Sequence, residues 1–139
     1  MIGALAYPAR APQHPRVFLM MYPGPVRSPQ VVRFLRHLRR HLRGRVLLFW
    51  DGLNAHRSLV TRAYVEAQSS WLTVHRLPAY APELNPVEGL WAWFKGTAAA
   101  NLCPDSLGPV RRQLRLGCRR LGRQPDRLHG FLHKAGLSI

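Results

Sequence analysis

The stretch Pro78-Ala79-Tyr80-Ala81-Pro82-Glu83-Leu84-Asn85-Pro86-Val87-Glu88-Gly89-Leu90-Trp91-Ala92-Trp93-Phe94-Lys95 reads as a proline-rich loop feeding a helix. Asn85 stands at N-cap spacing, Pro86 at the first helical position and Glu88 in the first turn. Upstream, Val46-Leu47-Leu48-Phe49-Trp50 is a continuous apolar run between Gly44 and Asp51-Gly52. Such a run predicts a strand buried on both faces, as in a parallel or mixed sheet covered by helices. One carboxylate, Asp51, therefore closes a strand, and a second, Glu88, opens a helix 37 positions later. Ligands collect at the carboxyl ends of strands in open α/β sheets, and paired hard oxygens suit a divalent cation.

Each residue also has a simpler reading. Asp after a strand is a common turn or N-cap residue. Asn85 with Glu88 loosely fits a capping box, in which the carboxylate serves only a backbone N–H. His56 could contact phosphate, orient water or act as a structural hydrogen-bonding residue. Lys95 lies seven positions after Glu88, on the same helical face, where it could reach phosphate or simply favour a helix C-terminus. Trp91 and Phe94 are expected to pack the helix onto the sheet, with base stacking as the alternative. Gly52 leaves room for close backbone approach.

Around this nucleus the chain alternates strand and helix. Ile2 to Tyr7 and Val17 to Tyr22, separated by Pro8, Pro12 and Pro15, predict a hairpin. A helix follows from Ser28 as N-cap, with Val31, Phe34, Leu35, Leu38 and Leu42 on one face and Gly44 past its end. Its other face carries Arg33, Arg36, Arg39, Arg40 and Arg43, placed for phosphate contact or merely for solvent. Residues 58–67 read as a helix and 72–77 as the next strand, implying a crossover connection. A second basic helix, from Ser106 or Pro109 to Leu121, sets Leu107, Val110, Leu114 and Leu121 against Arg111, Arg112, Arg115, Arg119 and Arg120. A short helix around Asp126 to Ala135 caps it.

Charge is unevenly placed along the 139 residues, whose formal net charge is +15. Residues 1–50 carry nine Arg and no acid, residues 51–100 are balanced, and residues 101–139 carry +6. A field of this sign attracts polyanions without reading sequence. Nineteen of the 21 basic residues are Arg. GC-rich coding accounts for such a bias, and the guanidinium fork also suits phosphate. Cys103 and Cys118 lack the CxxC or Cys/His context of a zinc site. No signal peptide is legible, and no run reaches the roughly 18 apolar residues of a membrane span. A cytoplasmic, nucleoid-associated protein with no membrane partner is expected.

The string Pro78-x-Tyr80-Ala81-Pro82-Glu83-Leu84-Asn85-Pro86-Val87-Glu88-x-x-Trp91-x-x-Phe94-Lys95, with Asp51 and His56-Arg57-Ser58 upstream, resembles the endonuclease domain of mariner-like bacterial insertion-sequence transposases, in the DDE superfamily. The likeness covers most of residues 2–100. It implies an α/β, ribonuclease-H-like mixed sheet flanked by helices, with residues 1–100 as a partial catalytic core and 101–139 as a basic helical extension of the same domain. It implies metal-dependent DNA cleavage and strand transfer, with Mg²⁺ or Mn²⁺ held by three carboxylates, of which Asp51 matches the second and Glu88 the third. Gly52 stands where the family often has Asn. The strand carrying the first acid has no counterpart, so the expected sheet lacks its first central strand and the isolated chain is expected to be inactive. His56, Arg57, Lys95, Arg36, Arg40, Arg111 and Arg115 are the candidate nucleic-acid contacts. The implied partners are transposon-end and target DNA, the upstream part of a split transposase and further copies of the chain. A non-catalytic, basic nucleic-acid-binding remnant is the alternative, and an RNA-associated structural protein a third reading.

Overall fold

The computed structural model describes residues 1–9, 14–98 and 107–137. Cys103, Pro12 and Ser106 lie outside the described residues, as does the side chain of Leu107. Two compact units divide the chain: residues 1–2 with 20–81, and residues 3–19 with 82–139. The expected boundary at residue 100 also lies outside the described residues.

The first unit is built on a parallel strand pair, β3 (Val46–Trp50) and β4 (Leu72–Arg76), in register from Val46 opposite Leu72 to Trp50 opposite Arg76. Val46 N–H to Trp71 O at 2.7 Å and Leu77 N–H to Trp50 O at 2.8 Å extend the ladder at both ends. Parallel strands need a crossover, and here it contains α2 (Asn54–Arg57) and α3 (Leu59–Ala67), as the strand–helix–strand reading expects. The helix expected over residues 58–67 is α3, with Ser58 as its cap, and α2 is an additional helical turn before it.

Helix α1 (Ser28–His41) buries Val31, Phe34, Leu35 and Leu38, the apolar stripe of the sequence, and packs beside α2 and α3. Its N-cap is Arg27, one residue before the expected Ser28, because the Gln30 side chain reaches back to accept from Arg27 N–H at 3.1 Å. Gly44 sits beyond the end at φ 78°, a left-handed conformation that glycine adopts without strain. Arg36 lies over the Tyr64 ring at 5.6 Å and Arg39 over Trp71 at 5.1 Å, so two of the arginines on the polar face cover aromatic surface.

One expectation fails. β3 is not buried on both faces: Leu47 is 56% and Phe49 53% exposed. Among the described residues β3 hydrogen-bonds to β4 alone, and the 47/49 side carries only the stacking of Phe49 on His75, with ring centroids 5.6 Å apart.

The second unit contains most of β1 (Ile2–Ala6) and β2 (Arg16–Met20), which form a two-stranded sheet, and the helices α4 (Pro86–Trp93), α5 (Leu107–Leu121) and α6 (Pro125–Lys134). A π turn, Phe94–Ala98, extends α4 and packs against α5, while α4 packs against α6. Leu90, Phe94, Leu114, Leu121, Leu128 and Leu132 are buried here. Tyr7 donates to Leu128 O at 2.7 Å, and burial pushes its phenol up to about 12. Trp91 lies against Gly3, where a Cβ would come within 2.6 Å of the indole, so the expected packing onto a strand is met for Trp91, whereas Phe94 packs on α5.

Phe94 presses equally closely on Gly117 of α5, where an added Cβ would sit 2.6 Å from Cε1, whereas Gly130 of α6 faces nothing within 4 Å. Gly117→Ala therefore overpacks a rigid ring contact, a class of change that costs about 1–3 kcal/mol. The better helix propensity of Ala offsets up to about 1 kcal/mol of that cost. Urea denaturation is expected to show Gly117→Ala destabilised and Gly130→Ala stabilised by about 0.5–1 kcal/mol, the helix-interior preference for Ala acting alone.

Candidate active site

Asp51 follows directly on β3, where the strand ends and the crossover begins. Its Oδ1 accepts from Leu53 N–H at 3.1 Å and lies 2.9 Å from His56 Nδ1, an ion pair whenever the imidazole is protonated. The same Nδ1 lies 3.2 Å from the Asp51 carbonyl. Both side-chain interactions fall on Oδ1; Oδ2 has no partner among the described residues, and the side chain is 48% exposed. The carboxylate is thus fixed by one oxygen and offered by the other.

His56 is itself fixed. Its ring lies flat on the Trp50 indole, with centroids 4.4 Å apart and planes 2° from parallel, and its side chain is 14% exposed. Behind it, Thr61, fully buried, donates through Oγ1 to Ala55 O at 2.7 Å and through its amide to Ser58 Oγ at 3.2 Å. Ser58 Oγ in turn lies 3.1 Å from Thr61 Oγ1. The turn that carries His56 is therefore tied to the first turn of α3. Gly52 has open space where a Cβ would be, so no neighbouring protein atom demands glycine there.

Glu88 occupies the first turn of α4 in the second unit and is exposed. The cap of that helix is Asn85 alone, whose side chain accepts from Val87 N–H at 3.2 Å. Glu88 donates its own N–H to Asn85 O at 3.0 Å, but its carboxylate makes no capping bond among the described residues. The simpler capping role is absent, which leaves the carboxylate available.

Of the other sequence candidates, Arg57 and Arg40 are exposed, and Arg36 packs over Tyr64 as described. Lys95 is exposed within the π turn that continues α4. Arg111 and Arg115 are exposed on α5. Cys118 is free, and burial pushes its thiol up to about 11, which disfavours the thiolate that soft metals require. No group of three or more His, Cys, Asp or Glu able to hold a metal occurs among the described residues, and no described helix is long and apolar enough to cross a membrane.

Two features escaped the sequence. The clamp of Trp50 and His56 on Asp51 has a legible trace only in the five-residue spacing from Asp51 to His56. Tyr80, fully exposed at φ 58°, holds a left-handed conformation unusual for a bulky residue. Its only sequence signal is the bracketing by Pro78 and Pro82.

A family model described as DDE superfamily endonuclease matches residues 5–107. A solved structure of the Mos1 transposase catalytic domain, determined with raltegravir and magnesium, is similar in fold at TM-score 0.56 and 21% identity, covering 88% of this chain and 70% of that one. No curated protein matches. The mixed α/β arrangement of small sheets flanked by helices accords with the ribonuclease-H-like architecture that the sequence implied.

Thr61→Val removes the hydroxyl that donates to Ala55 O at nearly constant volume and leaves that carbonyl only the longer bond from Ser58 Oγ at 3.2 Å, a loss of about 0.5–1.5 kcal/mol. Chemical denaturation should show that loss, and Thr61→Ser, which keeps the hydroxyl, is expected to recover much of it.

Proposed function

The chain belongs to the DDE superfamily of endonucleases, and from that premise we propose that it is a transposase endonuclease domain acting on DNA phosphodiesters, with Asp51 and Glu88 as ligands of Mg²⁺ or Mn²⁺. The observation that carries this reading is the state of Asp51: Oδ1 anchored by Leu53 N–H and His56, Oδ2 unengaged, at the end of a strand. Glu88 supports it, because its carboxylate has no capping duty. Hard, anionic oxygens on both residues fit Mg²⁺ or Mn²⁺ and suit softer metals poorly.

When bound, divalent ions supply activation of water or a 3′-hydroxyl and neutralise charge on the leaving oxygen. The chain's own contribution is orientation. His56 and the Leu53 amide fix the direction of Oδ2, and the Trp50 stack keeps the imidazole from turning away. Arg57, exposed one residue after His56, carries a guanidinium whose chemistry suits a phosphate rather than the cation.

The motif assigns two carboxylates where the family uses three, and no Asp or Glu precedes Asp51. Two ligands leave a close metal pair short of charge compensation, so a polypeptide of these 139 residues is expected to cleave DNA poorly by itself. The second edge of β3, which pairs with no described strand, is the place where a further strand carrying a third acid would add. An assembly of several copies, and an origin in a bacterial insertion sequence, belong to the same reading. A second reading, a non-catalytic nucleic-acid-binding chain, is favoured by the net charge of +15.

Paramagnetic Mn²⁺ tests the shared site directly. Added to isotopically labelled protein, it is expected to broaden the amide signals of Leu53 and His56 and those of Val87 and Glu88 over the same concentration range. Asp51→Ala should abolish both sets. Persistence of the Val87 and Glu88 broadening in that variant would sink the shared site. Nicking of supercoiled DNA in Mn²⁺ by the chain alone should not exceed that of Asp51→Ala or Glu88→Ala.

A further inference from the structure

Helix α5 lies almost wholly beyond the residues matched by the family model, and its exposed side has a definite chemistry. At 100° per residue, Arg111, Arg115, Arg119 and Arg112 fall within an arc of about 100°, and all four are exposed. The opposite side is closed, since Leu114 and Leu121 are buried and Gly117 lies under Phe94. From Arg111 to Arg119 the stripe runs about 12 Å along the helix axis.

No Asp or Glu occurs within α5, and no acid pairs with these arginines among the described residues. Arg111–Arg115 and Arg115–Arg119 are like charges at i,i+4, an arrangement that works against the helix. A ligand carrying several negative charges along a line relieves that repulsion, and a single anion does not.

We propose that the Arg111–Arg112–Arg115–Arg119 stripe of α5 is a docking track for the phosphate backbone of duplex DNA, separate from the residues that hold the metal. The proposal deepens the reading above and rests on DNA as the molecule acted upon. Duplex DNA presents a charge for about every 1.7 Å of its axis, so a 12 Å stripe faces several phosphates at once. Guanidinium forks bind such oxygens in pairs. An anionic membrane fits less well. Surface-binding helices insert an apolar face, and that of α5 is already occupied by its own unit, with Leu116 as the large apolar side chain left on the exposed side at 49%.

Anisotropy of a labelled 20-base-pair duplex, titrated with full-length chain in EDTA, tests the track without any metal. A failure here therefore leaves the Mn²⁺ experiment standing, and the reverse holds too. The variant Arg111→Gln/Arg115→Gln/Arg119→Gln is compared with Arg45→Gln/Arg62→Gln/Arg76→Gln, exposed arginines of the other unit with equal charge loss. The α5 triple should weaken binding at least ~10-fold and lower the slope of log K on log salt by about 3, near 0.9 per phosphate contact. The control triple should cost less than ~3-fold.

A triple Arg→Lys variant on α5 keeps the charge and should stay within ~5-fold of the parent, which separates lost charge from a damaged helix; circular dichroism monitors both. Equal weakening by the two Gln triples would overturn the track in favour of diffuse attraction. Tighter binding of a matched RNA duplex, or of vesicles with ~30% anionic lipid, would overturn the choice of DNA.

Discussion

A carboxylate binds a metal at lower cost when its direction is set before the metal arrives, and at Asp51 one oxygen is engaged so that the other is oriented. Leu53 N–H and His56 Nδ1 both engage Oδ1, and the imidazole is held flat on Trp50. That clamp depends in turn on the turn from Asn54 to Ser58, which is pinned by the buried hydroxyl of Thr61. The chain of dependence runs from an interior hydrogen bond, through a stacked ring, to an exposed oxygen. Orientation of this kind is what supporting interactions around metal ligands generally supply.

The second unit solves a different problem, the packing of large aromatics on a short helix. Trp91 and Phe94 each find space because glycine stands opposite, Gly3 on β1 and Gly117 on α5. Phe94 still bonds Leu90 O in α-helical fashion, and the π turn from Phe94 to Ala98 continues α4 against α5. The basic tail is thereby welded to α4, so that removal of α5 would uncover Phe94.

What the sequence made legible was whatever local periodicity or spacing encodes. The apolar stripe of α1, the strand–helix–strand crossover and the basic helix α5 could all be read, as could the two carboxylates. What escaped depends on contacts between residues far apart, or on what covers a surface. The packing of the Arg36 guanidinium over Tyr64 was hidden because the two lie 28 positions apart and only the fold brings them together. The openness of β3 was equally hidden. Five apolar residues in a row encode a strand that is covered on both sides, yet Leu47 and Phe49 remain half exposed because burial is a property of the neighbours present.

Net charge adds a constraint on how the candidate ligands work. A chain of +15 repels divalent cations, and two carboxylates in such a field hold them weakly. DNA reverses that condition, because its phosphates neutralise the field and bring their own oxygens to the cation. Under the proposed function, binding of metal and of DNA would then be linked, each raising the affinity for the other by the same factor. The neutral stretch of residues 51–100 between two basic ones is the distribution such a linkage needs. In that function the flanking arginines would gather the polyanion, while the acids lie in the neutral stretch where the proposed cation would sit.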